Sequence, residues 1–236
     1  MSNEEKIIKY FTKNYNKIGD DCAYLSQTKQ LISSDTLVEN IHFDLKYFTP
    51  KNIAHRLFTA NYSDIQSSGG KPKYVLLNLS FPNKNFRFVN KIIKNFHRYC
   101  LKYGIEIIGG DTTASDKIFL SLTIISDAIN KNKIIKRSQA KINDKIYTFS
   151  GIGYSKLGFM NIYKNLKLPK DISALSKKQF LSPKIYTYYD LFKKIKLNSC
   201  MDVSDSLLST LRSISSQSNK KICLLYTSPS PRDPTK

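Results

Sequence analysis

The sequence predicts an α/β (α+β) protein built from two domains. Segments with helical spacing alternate with short apolar runs, and most of the glycines fall at the seams between them. The third observation is size, since 236 residues with 41% hydrophobic content can build a real core as one large domain or two modest ones.

Taken in order, NEEKIIKYF sets Ile7, Ile8 and Phe11 on one side of a helix. KNIAHRLFTANYSDIQSSGG reads as a second helix, running from Ile53 and Leu57 through Ile65 and stopped by Gly69 and Gly70. KYVLLNLSF is a buried strand, and FVNKIIKNFHRYCLKYG is a helix closed by Gly104. IEIIGGD is a strand ending in a turn, and KIFLSLTIISDAI is a long strand. A basic connector, NKNKIIKRSQAKIND, leads to KIYTFSGIGYSKLGF, which reads as a strand, a glycine turn and a helix from near Ser155. A first domain over 1–140 and a second from about Lys145 to Ile222 are therefore expected. MDVSDSLLSTLRSISSQS reads as a helix from about Asp205, with Leu207, Leu208, Leu211 and Ile214 on one stripe.

The last stretch, CLLYTSPSPRDPTK, crowds Pro229, Pro231 and Pro234 together and abandons the Lys/Ile/Asn texture of the rest. CLLYTSPSPRD is similar to the in-frame translation of an adapter used to prepare sequencing libraries. Residues 223–236 are accordingly expected to be an artefact tail, with the natural chain interrupted near Ile222.

Thirty-eight Lys+Arg against 18 Asp+Glu give a formal charge of +20, which raises the question of nucleic acid. The lysines are spread along the whole chain among Ile and Asn, with no helix-turn-helix, zinc-finger or RRM signature beside them, so no specific nucleic-acid partner is expected. No apolar run reaches the length of a membrane span, and MSNEEKIIKYF lacks the pattern of a signal peptide. A cytoplasmic protein without a membrane partner is expected. Cys22, Cys100, Cys200 and Cys223 are scattered with no C-x-x-C pair, which suggests neither a zinc site nor a disulfide framework.

The few acids sit in unusual places. Asp20 and Asp21 follow Gly19; Asp35 follows Ser33 and Ser34 at the end of an apolar run; Asp64 lies on a helix otherwise committed to burial. Asp111 follows two glycines, and Asp202 and Asp205 flank Ser204. Any one of them alone reads as a cap, a turn former or a solvated residue. Together, carboxylates with Ser/Thr oxygens and no Cys or His cluster are what a hard cation such as Mg²⁺ prefers, in company with substrate phosphates. The usual phosphate loop is absent, because GYSKLGF carries Phe159 where a P-loop needs lysine.

In order, IGDDCAYL, LISSDTLVENIHF, LFTANYSDIQSSGGKPKY, IIGGDTT, KRSQAKINDKIYTFSGIGYSKLG and MDVSDSLLSTL closely resemble the thiamine-monophosphate kinase family. That family shares a superfamily with aminoimidazole ribonucleotide synthetase, selenophosphate synthetase and a hydrogenase maturation factor. The resemblance implies an N-terminal mixed-sheet ATP-binding domain that dimerises and an α/β C-terminal domain, here incomplete. It implies phosphorylation of thiamine monophosphate to thiamine diphosphate, with ATP as co-substrate and several Mg²⁺ ions as cofactor. By the same resemblance, Asp21, Ser33, Ser34, Asp35, Asp64, Asp111, Asp202 and Asp205 would hold metal. Tyr103, Gly110, Asp111, Arg137 and Ser204 would contact ATP, and His42 would lie by the thiamine phosphate.

Donor and acceptor phosphates repel one another, so cations and Arg137 would align an in-line attack. A phosphate oxygen is already a nucleophile, and no general base is expected. Ser206 departs from the glycine usual after MDVSD, and the family's later Gly-Gly-Glu-Asp segment is not in this sequence, so a chain shortened in this way need not be active. Two other readings remain open: a sister ATP-dependent synthetase, and a basic nucleotide- or RNA-binding protein without catalysis.

Overall fold

The computed structural model describes residues 3–15, 18–130, 134–149 and 151–224. Five strands form one sheet: β1 (Ala23–Leu25), β2 (Gln30–Val38), β3 (Gly70–Phe81), β4 (Glu106–Ala114) and β5 (Phe119–Ala128), in the order β1-β2-β5-β3-β4. β3 and β4 run parallel and every other neighbouring pair is antiparallel, so the sheet is mixed. A parallel pair cannot be joined by a tight turn. The crossover is supplied by α3 (Phe86–Tyr103), which Gly104 ends in the left-handed conformation at φ +65°, as its position in the sequence predicts.

One face of the sheet is covered. α2 (Pro50–Ser67) and α3 press Ile53, Leu57, Phe58, Ile65, Ile92 and Phe96 against Leu31, Val75, Leu120, Leu122 and Ile124, all at most 1% exposed. α2 begins in a capping box, with Thr49 Oγ1 accepting from the Asn52 N–H and Asn52 Oδ1 accepting from the Thr49 N–H, and Pro50 in its first turn. The other face is open and carries hydroxyls. Across it Ser34 bonds Thr123 at 3.0 Å, Thr36 bonds Ser121 at 2.9 Å and Thr113 bonds Ser80 at 3.0 Å.

The remaining helices are α1 (Asn3–Thr12), α4 (Tyr154–Tyr163), α5 (Lys170–Leu181), α6 (Tyr189–Lys194) and α7 (Leu207–Ser218). α4 and α5 pack on each other, and Phe180 of α5 reaches the core against Phe48, ring centroids 5.6 Å apart. α2 also grips the chain after α5. Asn52 Nδ2 donates to Ser182 Oγ at 2.8 Å, His55 Nε2 donates to the Pro183 carbonyl at 2.5 Å, and the Tyr188 N–H donates to Gln66 Oε1 at 2.8 Å.

Three sequence expectations change. KIYTF is not a strand: it takes no place in the β-ladders among the described residues, and Tyr147 is 76% exposed. A strand needs a second backbone to satisfy its N–H and C=O groups. IEIIGGD does not stop at a turn, because β4 runs on to Ala114 along β3. Gly110 permits this, since a Cβ there would stand 1.8 Å from the Leu77 carbonyl oxygen. The helix expected from about Asp205 starts at Leu207, with Ser206 as its N-cap accepting from the Ser209 N–H at 3.1 Å. α5 and α6 had no counterpart in the sequence reading, and the proposed tail lies outside the described residues after Leu224.

Candidate metal and nucleotide site

Strand alternation sorts the four oxygen-bearing residues of β2. Odd positions face the helices and even ones the open side, as the pairing of Ser33 with Ile124 and of Ser34 with Thr123 shows. Ser33 therefore points inward and donates to Asp64 Oδ2 at 2.6 Å, and Asp35 lies on the same face with its N–H donating to Asn61 Oδ1 at 3.1 Å. Ser34 and Thr36 are spent on the hydroxyl ladder of the other face.

At the inner side three carboxylates converge. Asp21 precedes β1, Asp64 sits on α2 and Asp202 lies before α7, yet one oxygen of each falls within 4.8 Å of the others. Each acid is oriented by a serine of β2 or α2. Ser67 Oγ donates to Asp21 Oδ2 at 2.5 Å, Ser33 to Asp64, and Ser63 Oγ to Asp202 Oδ2 at 2.8 Å.

Burial pushes Asp64 up to about 8, helped by the negative charge of Asp202, and pushes Asp202 up to about 6, helped by Asp21. Burial also raises Asp35, and it raises Asp20 against the hydrogen bond from the Arg137 N–H. The site thus concentrates more negative charge than its neighbours compensate. Arg137 is the cation paired with it among the described residues: its Nε donates to Asp21 Oδ1 at 3.0 Å and its Nη2 forms an ion pair with the same oxygen. Oxygen donors from three acids, pre-oriented and short of positive charge, fit a hard divalent cation.

The other expected site residues lie elsewhere. Asp111 stands on β4 at the open face, beside Asn78, Ser80, Thr113 and Ser121 around a cavity of about 120 Å³. Gly110 precedes it. Ser204 and Asp205 are exposed in the turn before α7. Tyr103 closes α3 with its ring 5.1 Å from Phe58 and 5.2 Å from Tyr62. His42 is exposed beyond the end of β2, its Nδ1 accepting from the Val38 N–H at 3.0 Å.

Four members of the site were missed as such by sequence reasoning: Asp20, Asn61, Ser63 and Ser67. The last three did leave a signal. A helix that buries Leu57 and Ile65 completely has little reason to carry Asn61, Ser63, Asp64 and Ser67 at spacings of three and four unless those side chains have partners.

This fold and site define a class before they define a member. The AIR synthase related protein, N-terminal domain family matches residues 19–127, the stretch from Gly19 through the last strand of the sheet. Among curated proteins, the thiamine-monophosphate kinase of Buchnera aphidicola subsp. Schizaphis graminum is 34% identical over 222 residues, 89% of this chain and 68% of its own length. That of Leptospira interrogans is 32% identical over 204 residues, 85% of this chain and 65% of its own. A solved structure described as AaThiL complexed with AMPPCP and TMP superposes with a TM-score of 0.79 at 25% identity, covering 93% of this chain and 72% of that one. The chain belongs to the thiamine-monophosphate kinase family, and it spans about two thirds of the length of these curated relatives.

Proposed function

We propose that the protein transfers the γ-phosphoryl group of ATP to thiamine monophosphate, giving thiamine diphosphate, in a Mg²⁺-dependent reaction in the cytoplasm. The observation that carries this reading is the convergence of Asp21, Asp64 and Asp202 in a chain of this family. The names of the relatives and the ATP analogue in the solved neighbour's description support the substrates.

Asp21, Asp64 and Asp202 would hold Mg²⁺, with Asp35 at their edge. When bound, the ion would neutralise phosphate charge and lower the repulsion between donor and acceptor. The protein's own share is positioning. Ser33, Ser63 and Ser67 keep the carboxylates aimed, and Arg137 brings a guanidinium to the site's edge, where it can share its donors with a phosphate. His42 would meet the acceptor phosphate, whose oxygen attacks in line without a general base. Asp205 would complete the metal site, and Tyr103, Gly110 and Ser204 the nucleotide site, once substrates are bound; Ser34 and Asp111, on the open face, would hold metal there, apart from the three acids. We further propose that the chain divides near residues 140–145 and that it forms a homodimer through the open face of the sheet, whose hydroxyl ladder has no layer over it among the described residues.

The test is phosphorylation of thiamine monophosphate by this chain and by a version extended at its C-terminus to the length of its relatives. Asp64→Asn is expected to lower turnover by more than about a hundredfold. Turnover by that variant at the parent rate would remove the metal assignment, and absence of turnover in the extended parent would remove the kinase reading.

A further inference from the structure

β2 ends in a closed loop. Beyond Val38 the chain doubles back at Asn40, which takes φ +65°. Asn40 N–H donates to the Phe43 carbonyl at 2.7 Å, His42 N–H donates to the Val38 carbonyl at 2.9 Å, and Phe43 is sunk in the core at 2% exposure. Within this loop the Val38 N–H donates to His42 Nδ1 at 3.0 Å. A backbone N–H can only donate, so Nδ1 must present its lone pair and the neutral ring carries its proton on Nε2. Among the described residues Nε2–H has no hydrogen-bond partner, and the residue is exposed.

The loop is also held from α2. Arg56 Nη1 donates to the His42 carbonyl at 3.1 Å, and the guanidinium lies 5.4 Å from the Phe48 ring and 5.1 Å from that of Phe180. No carboxylate among the described residues lies within ion-pair distance of it. A cation placed between two rings without an acid gains from their faces but still costs desolvation. What it does gain is a grip on one carbonyl, the one belonging to His42, and a bridge from that loop to α5.

We propose that Arg56 is a positioning residue which, through the His42 carbonyl, holds the His42 ring as a fixed, outward Nε2–H donor for a phosphate oxyanion of the acceptor. The tautomer and its dependence on Arg56 follow from the loop alone. The identity of the oxyanion rests on the kinase reading above. A planar guanidinium suits the place because it can lie on both rings while one N–H reaches the carbonyl.

The protein holds three histidines, so long-range ¹H–¹⁵N spectra can be assigned with one His42→Gln variant. His42 in the parent is expected to show a bare Nδ1 and a protonated Nε2 at neutral pH, whereas the opposite tautomer, or averaged signals, would overturn the proposal without any Arg56 variant. Arg56→Ala is expected to give averaged His42 nitrogens, and Arg56→Lys, which can still donate to the carbonyl, to restore the fixed tautomer. An unaltered tautomer in Arg56→Ala, or no restoration by lysine, would assign Arg56 to packing alone and overturn its role. In turnover, Arg56→Ala is expected to raise KM for thiamine monophosphate about tenfold with KM for ATP changed less than about twofold. An equal rise in both constants would overturn the link to the acceptor. A parent that never phosphorylates thiamine monophosphate would end the kinase reading while leaving the spectra to decide the histidine.

Discussion

The stretch from Gly19 to Ala128 and the stretch from Lys141 to Leu208 both reach the acidic site, but they are built differently. In the first, Phe58, Tyr62, Leu122 and Ile124 are at most 2% exposed, and two helices lie on a continuous sheet. In the second, Ile142 and Tyr147 are each 76% exposed and Leu208 54%, and the segment around Asp202 is held mainly by polar bonds. Ser63 Oγ donates to the Asp202 carboxylate, Thr210 Oγ1 donates to its carbonyl at 3.3 Å, and Ser199 Oγ reaches the carbonyls of Lys136 and Arg137, each at 2.9 Å. Two carboxylates of the site thus stand on a packed scaffold, and the third is hooked to it. Cation binding should depend on that hook more than on the scaffold's stability.

The contrast breaks most directly on packing. Phe58→Ala, which removes a ring in contact with Tyr62, Phe96, Tyr99 and Tyr103, is expected to cost about 3–5 kcal/mol in denaturant unfolding, against less than about 0.5 kcal/mol for Tyr147→Ala. Equal losses would show that the second stretch is packed as firmly as the first.

Next comes pH. Asp64 moves from its ordinary 3.8 to about 8 in the fold, and Asp202 from 3.8 to about 6. Between those values the folded chain holds protons that the unfolded chain has lost, so metal-free stability should fall as pH rises from about 4 to about 8, steepest below about 6 where both groups contribute. Asp64→Asn should flatten the fall, and Mg²⁺ should raise the melting temperature more at pH 8 than at pH 5. A metal-free melting temperature that climbs over this range would contradict the buried-acid assignment.

A smaller effect sharpens the hook. Ser63→Ala removes the hydroxyl on Asp202 and is expected to weaken Mg²⁺ binding about tenfold by calorimetry, with little change in unfolding free energy. Smallest of all, Ser206→Ala should cost about 1 kcal/mol through the lost N-cap of α7, and Ser206→Gly only a few tenths. If glycine proved as costly as alanine, the serine would be acting through something other than the cap.

Much of this was legible beforehand. The helices ending at Gly69 and Gly104, and the strand through KYVLLNLSF, follow from spacing and from glycines that end helices. The motif order pointed to Asp21, Asp64 and Asp202 together, and they meet. Asp111 and Asp205 carry the same local signature, a carboxylate beside small residues, yet they stand apart from the three. Nothing within a few residues of Asp111 says which face of β4 it takes. That depends on the register with β3, where a shift occurs between Val75 and Leu76. KIYTF has strand composition and no strand for the same kind of reason, because pairing is a property of two segments.

The sequence by itself determined the spacing and the stops of the helices and strands around the sheet, and that several aspartates sit at seams where apolar runs give way to small residues. Only the tertiary structure decided that Ser33 faces Asp64 while Ser34 faces Thr123, that Ser63 and Ser67 serve carboxylates 139 and 46 residues away, and that the Val38 N–H donates to His42 Nδ1. Periodicity and termination are set by backbone geometry within one or two turns of chain. Partners, protonation and charge are set by whatever the fold brings within a few ångströms, and that distance is unrelated to separation along the chain.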